Sequence, residues 1–300
     1  MNLISSLDLD LPKIRKIFSI ADSFGTVRAI KMPCAGKIMS LLFEKPSTRT
    51  RVSFEAAMSQ LGGSSIYIDS STSQLSRGET LQDTARVLSS YVDVISARMY
   101  LDTDIRELAA GASVPVINAL TDLEHPCQAL SDVYTIEKSL GNLKGLRIAF
   151  VGDIAANTAN SLMVTASILG AELSLIGPTG YSPNTRYVEA ASRHSMVEIT
   201  NDLKTGLSGC SVIYTDTFIS MGQEKQAAQR RKTFSGYQVN SKVLGYAKKG
   251  AKVMHCLPAH RGEEITSDVL DGRSSLAWEQ AANKLPIEKA ILLYLLSEAK

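Results

Sequence analysis

The run Ser47-Thr48-Arg49-Thr50-Arg51 places three hydroxyls and two guanidiniums side by side, between an apolar stretch and an amphipathic one. Laid on the start of a helix, such a run is chemistry for an anion. The first helical N–H groups lack intrahelical partners, and the dipole there contributes roughly 0.3–1 kcal/mol towards a nearby negative charge. Ser47, Thr48 and Thr50 add donors, and Arg49 and Arg51 add charge-assisted bonds of about 1.5–3 kcal/mol each. The same residues also read as a plain N-cap, Ser47 or Thr48 capping a helix whose arginines are solvated. Five polar groups in a row exceed what a cap requires.

Further chemistry-bearing runs are His125-Pro126-Cys127-Gln128, Asp216 to Glu224 and His255-Cys256-Leu257-Pro258. His125 taken alone is equally an ordinary turn residue, and Pro126 suits the first position of a helix. Cys256 invites a nucleophilic reading, but no sequence pattern pairs it with a base.

The elements that position these runs alternate. Lys37 to Phe43 is a nearly continuous apolar run, as in a strand buried on both faces. Phe54, Ala57, Met58 and Leu61 then recur at helical spacing before Gly62-Gly63. A helix is expected at about Leu11 to Phe24. Strands are expected at Ser65 to Ile68, Val92 to Arg98, Val114 to Ala119, Glu172 to Ile176, Met196 to Ile199, Val212 to Thr215, Lys252 to His255 and Leu276 to Trp278, and the run Leu146 to Asp153 opens a second alternating unit. Helices are expected between them. Asp69 to Glu79 reads as a polar loop, either a solvated connection or a mobile lid. Strands alternating with helices predict an α/β fold of two doubly wound parallel-sheet domains. The polar stretch Glu137 to Gly145 divides them into 1–137 and 138–278. A last helix, about 279–300 with Ile287, Ile291, Tyr294 and Leu295 on one face, is expected to complete the first. In such sheets ligands bind beyond the carboxyl ends of strands, which is where Ser47 to Arg51, Arg98 and His125 to Gln128 fall.

Composition narrows the function. A chain of 300 residues with 44% hydrophobic content buries a large core, and its net charge of +2 offers no general attraction for nucleic acid. No apolar run is long enough to span a bilayer, and residues 1–7 lack the pattern of a signal peptide, so a soluble cytoplasmic protein without membrane association is expected. Cys34, Cys127, Cys210 and Cys256 show no CxxC spacing and the four histidines do not cluster, so neither a disulfide framework nor a metal is expected. Gly152 to Asn157 is superficially like a dinucleotide loop but lacks the GxGxxG glycines, and no cofactor is expected.

The Ser-Thr-Arg-Thr-Arg, His-Pro-Cys-Gln and His-Cys-Leu-Pro runs, in this order and at these separations, resemble the transcarbamylase family over nearly the whole chain. Asp216 to Gly222 and His255 to Pro258 resemble the ornithine branch of that family; aspartate enzymes instead carry His-Pro-Leu-Pro-Arg. The resemblance implies transfer of the carbamoyl group of carbamoyl phosphate to the δ-amine of L-ornithine, giving citrulline and phosphate, as in arginine biosynthesis. By the same resemblance, Ser47, Thr48, Arg49 and Thr50 bind the phosphate, and Arg98 bridges phosphate and carbonyl. Pro126 and Cys127 belong to the same motif as His125 and Gln128, which hold the carbamoyl group. Gln74 reaches the phosphate of a neighbouring subunit, which implies a homotrimer or a multiple of it. Asn157, Asp216, Ser220 and the backbone of Met221 hold ornithine's α-carboxylate and α-ammonium. Cys256 and Leu257 lie beside the carbamoyl group. Arg98, His125, Gln128, Asp216 and Cys256 are thereby the expected catalytic set.

Two residues depart from the family's pattern. Ala156-Asn157 stands where two asparagines are common, and Asn283-Lys284-Leu285-Pro286 where Asn-Arg-Leu/Met-His is usual. Lys284 keeps the positive charge for carbamoyl phosphate but not arginine's planar fork. Two rival readings remain: a transcarbamylase for another amine such as putrescine, which has no carboxylate for Asn157, and a non-catalytic phosphate-binding protein on the same fold.

Overall fold

In the computed structural model, residues 1–26, 32–219 and 224–298 are described. They form two compact units, Met1–Leu130 with Lys284–Lys300, and Ser131–Asn283. The division therefore falls inside two helices. The polar stretch 137–145 instead holds the end of the first of them and the turn into the next strand.

In the first unit, α1 (Leu11–Thr26) leads to β1 (Ile38–Phe43), α2 (Thr48–Gln60), β2 (Ser64–Asp69), α3 (Leu81–Ser89), β3 (Val94–Arg98), α4 (Asp102–Gly111), β4 (Val116–Leu120) and the start of α5 (Pro126–Leu140). The strands pair in parallel in the order β2-β1-β3-β4. Apolar residues on every turn explain the elements: Phe54, Ala57 and Met58 of α2 are buried, as are Leu42, Ile95, Ala97 and Val116 of the sheet. The expected polar loop 69–79 folds instead into two short 3-10 turns, Ser70–Thr72 and Gln74–Arg77. Asp69 and Ser73 cap them with their side chains, so local Asx- and Ser-type hydrogen bonds order what composition marks as loop.

The second unit continues with β5 (Arg147–Val151), α6 (Asn157–Ile168), β6 (Glu172–Ile176), α7 (Thr185–Ser192), β7 (Val197–Thr200), α8 (Leu203–Leu207), β8 (Val212–Thr215), α9 (Ala227–Phe234), α10 (Ser241–Leu244), β9 (Lys252–His255) and α11 (Ser267–Leu270). Its sheet is also all parallel, in the order β7-β6-β5-β8-β9. Ala149, Val151, Ile176, Ile213 and Val253 form its core with Val239, Ile265 and Leu270.

The last element, α12 (Ala277–Glu298), corrects the expected strand at Leu276 to Trp278. Leu276 and Ala277 are buried as the helix begins, and the strand-like signal reduces to one bridge between Val253 and Ser275. Beyond Lys284 the helix belongs to the first unit, where Ile287, Ile291 and Leu295 are buried and the Lys289 ammonium lies 4.9 Å from the Phe24 ring centre. Among the described residues no helix is long and apolar enough to cross a membrane.

Candidate active site

Both sheets reverse their strand order once, between β1 and β3 in the first unit and between β5 and β8 in the second. The crevice beyond the carboxyl ends of strands at such a reversal is where open α/β sheets take ligands. The marked residues fall at both reversals.

In the first unit β1 hands over through Glu44-Lys45-Pro46 to Ser47, whose extended backbone caps α2. The Ser47 hydroxyl accepts from the Thr50 N–H at 3.4 Å, longer than a well-made cap bond. So the cap reading and the anion reading meet in one residue. Arg49 is exposed, whereas Arg51 turns away: its guanidinium donates to Glu55 at 2.9 Å and lies 3.7 Å from the Tyr67 ring centre. Arg51 is thus spent on the helix surface rather than on the anion run.

Next to β1, β3 ends in the buried Arg98. The ladder to β4 slips there: Ala97 pairs with Asn118 but Arg98 with Leu120, a bulge that redirects the arginine. Beyond β4, Thr121 to Glu124 turn the chain into His125 and α5. His125 and Gln128 are both buried, and Cys127 points its thiol to the Asn118 carbonyl at 3.4 Å. Pro126 opens α5. From α12, the buried Lys284 ammonium donates to Gln128 Oε1 at 3.1 Å.

The electrostatics of this group are cationic with a neutral centre. Burial holds the His125 imidazole well below its usual range, and Lys284, Arg98 and Arg49 push it the same way. A neutral imidazole among fixed cations donates a hydrogen bond without a proton to give away readily. The Cys127 thiol is pushed well up by burial and is inert as a nucleophile at neutral pH. Gln74 is exposed at the start of its 3-10 turn.

In the second unit β5 leads through Gly152, at φ 121°, to α6. Ala156 stands at its N-cap without a capping side chain, and Asn157 begins it, half-buried. Asp216 follows β8. Its carboxylate accepts from the Thr158 hydroxyl at 2.9 Å, the Thr217 N–H at 2.7 Å and the Cys256 thiol at 3.1 Å. Cys256 is half-buried, and its thiol is pushed well up, first by burial and then by Asp216. Leu257 has φ 59°, strained for a side chain with a Cβ, and is followed by a cis peptide to Pro258. Its N–H donates to His255 Nδ1 at 2.9 Å, which leaves Nε2 protonated towards Glu264 at 3.1 Å. Ser220 and Met221 lie outside the described residues.

Asp216, His255 and Cys256 bring ligand atoms within 4.8 Å of one another. They do not fit a metal as arranged, since both histidine nitrogens are engaged and the protonated thiol donates to the carboxylate.

Sequence reasoning missed the groups that brace these residues. Buried Asp132 accepts from the Tyr214 hydroxyl at 3.0 Å and from Gln280 Nε2 at 2.7 Å, and Gln280 Oε1 receives the His255 N–H at 3.0 Å. In the first unit buried Glu124 binds the Ser5 hydroxyl and the N–H and hydroxyl of Ser6. Asp132 follows Gln128 by one helical turn, and Glu124 precedes His125 directly. Proximity to a motif was the one available signal.

Comparison with known proteins bears on the whole chain. Residues 1–138 match the model of the aspartate/ornithine carbamoyltransferase carbamoyl-P binding domain, and residues 144–295 match that of the Asp/Orn binding domain. The chain belongs to the aspartate/ornithine carbamoyltransferase family. Among its relatives, an ornithine carbamoyltransferase of Methanobrevibacter smithii is 44% identical over 98% of this chain and 99% of its own. An anabolic ornithine carbamoyltransferase of Pyrococcus furiosus is 44% identical over 100% and 97%. Of solved carbamoyltransferases, the Pyrococcus furiosus structure superposes with a TM-score of 0.94 at 43% identity, covering 99% of this chain and 97% of that one. The anabolic enzyme of Campylobacter jejuni superposes at 0.93 with 34% identity, covering 99% of each chain.

Proposed function

We infer that this chain is an ornithine carbamoyltransferase: it moves the carbamoyl group of carbamoyl phosphate to the δ-amine of L-ornithine, releasing citrulline and phosphate. The observation that carries this is a buried His125 kept neutral by burial and by the charges of Lys284, Arg98 and Arg49, the last of them on the first turn of α2. Three cations and open helical N–H groups suit a phosphate dianion. A neutral imidazole and the Gln128 carboxamide suit the carbonyl that becomes an oxyanion.

In this reading Ser47, Thr48, Arg49 and Thr50 hold the phosphate, Arg98 bridges phosphate and carbonyl, and His125 and Gln128 orient the carbamoyl group. Asp216 takes ornithine's α-ammonium, with Ser220 and Met221 beside it, while Asn157 and the uncapped first turn of α6 take the α-carboxylate. The neutral δ-amine attacks the carbonyl carbon, a C–N bond forms and the negative charge moves to the carbonyl oxygen. Collapse breaks the C–O bond to phosphate, and the amine's proton leaves with it or to solvent. Positioning and oxyanion stabilisation supply the rate, with no covalent enzyme intermediate. Residues 1–137 with the C-terminal helix serve carbamoyl phosphate, and 138–278 serve ornithine. Gln74, exposed in its own chain, is proposed to complete the site of a neighbouring subunit in a homotrimer.

The test is citrulline formation with ornithine, aspartate and putrescine compared as acceptors. Turnover with ornithine alone is the expected result. Turnover with putrescine overturns the roles of Asn157 and Asp216, and none at all favours a binding protein.

A further inference from the structure

Lys284 is the cation that α12 contributes to the anion half-site. A lysine ammonium is a compact charge on a flexible four-carbon stem, so its place has to be fixed by its surroundings, whereas an arginine fork is pre-organised. Two groups confine it. Gln128 Oε1 accepts from it at 3.1 Å, and one turn further along the helix Glu288 Oε1 lies 3.7 Å away, an ion pair rather than a formed hydrogen bond. Lys284 is 4% exposed and Glu288 1%, so both charges of the pair are buried. No motif of the chain includes Glu288, and neither substrate needs a carboxylate at the phosphate end.

We propose that Glu288 is the charge-setting residue of this half-site: placed 3.7 Å from the Lys284 ammonium, it sets through its own proton the net positive charge that an incoming dianion meets. The ligand in question rests on the carbamoyl phosphate reading above. Several groups face Glu288. Lys284 lies on its own helix, Ser53 comes from α2 and Cys127 from α5, and the Cys127 thiol stays protonated because burial and Glu288 itself push it up. Arg49, Arg98 and His125 complete the charged and titratable groups around Lys284; His125, held low, stays neutral near pH 7. Burial pushes the Glu288 carboxyl up to about 7, with Lys284 and the Ser53 hydroxyl drawing it back. Below that pH the carboxyl is neutral and the Lys284 charge stands unopposed. Above it the pair is neutral overall, and attraction for a dianion falls.

Sulfate is the probe, because its charge does not change across this range. We expect the full-length protein to bind sulfate about three- to tenfold more weakly at about pH 8.5 than at about pH 6, measured by titration calorimetry. Glu288→Gln should remove that dependence and keep the low-pH affinity at both values. A wild-type affinity that is flat with pH overturns the proposal without needing any variant to fold, and so does a Glu288→Gln protein that keeps the wild-type slope. Arg49→Ala separates this from the reading beneath it. Sulfate binding lost in Arg49→Ala places the probe in the half-site, so a flat profile then condemns the role of Glu288 alone. Binding that survives Arg49→Ala overturns the anion site and the proposal together.

Discussion

Arg49 and Cys256 make opposite demands on a mutagenesis experiment. Arg49 is exposed on the first turn of α2, where its side chain has little packing to lose. Arg49→Ala should therefore leave the melting temperature nearly unchanged while kcat/KM for carbamoyl phosphate falls about 10- to 100-fold, the worth of one or two charge-assisted bonds. Cys256 is the tempting nucleophile, yet its thiol is pushed well above the ordinary cysteine range and donates to Asp216. At neutral pH it is a thiol, not a thiolate. Cys256→Ser, which keeps the donor, should retain activity within about tenfold, and iodoacetamide should react with it no faster than with a free model thiol. The titration expected to govern the rate belongs to the substrate. An alkylamine of pKa near 10.4 is neutral in only about one molecule per thousand near pH 7.4, so kcat/KM for ornithine should climb with pH through the neutral range. A flat profile there would contradict amine deprotonation as the governing step. At this scale a candidate site is readable in sequence where its residues are consecutive, as in Ser47 to Thr50. It was silent on Glu288, Glu124 and Asp132, because a buried carboxylate's partners lie anywhere in the chain and leave no local pattern.

Elements turn those residues into a site, and some of their irregularities matter more than their regular parts. The slip of register between Ala97 and Arg98 is invisible in an apolar run, since a bulge depends on the neighbouring strand. The strand expected at Leu276 to Trp278 failed for the same reason: three apolar residues fit a strand or the entry to a helix, and only the long run behind them decides. Boundaries of the strands Glu172–Ile176, Val212–Thr215 and Lys252–His255 were legible because a strand covered on both faces carries a short, largely apolar run, here Leu173 to Ile176, Val212 to Tyr214 and Val253-Met254. Glu124 anchors a different device. Leu3 pairs with Ile117 as a short parallel bridge beside β4, and the chain then runs to Ser5 and Ser6, whose donors close on Glu124 immediately before His125. Glu124→Ala strands those buried donors and should cost about 3 kcal/mol of stability, read from the urea midpoint, with carbamoyl phosphate affinity falling alongside because His125 loses its support.

For the molecule as a whole, one plan is used twice: a parallel sheet with a single reversal of strand order, and loops at that reversal carrying the polar groups. If Gln74 serves a neighbour, the catalytic unit is larger than one chain. Light scattering should then give a mass of three times the 32.4 kDa chain, or a multiple of that. Mixing two impaired proteins, Arg49→Ala and Gln74→Ala, under conditions that exchange subunits should raise the activity above that of either alone, since some sites receive both intact residues; no recovery would place Gln74 outside the chemistry. The tie between Ser5 and Glu124 also bears on how the protein is made. These partners are 119 residues apart in sequence, so during synthesis the early segment leaves the ribosome long before β4 and the Glu124 turn exist to receive it. At translation speeds of about 5–20 residues per second that wait lasts several seconds or more, during which Leu3 and Ile4 are exposed apolar residues on an unpaired strand. β4 is made only at the end of that interval, so a crowded polysome offers the early segment other nascent chains before its own partner.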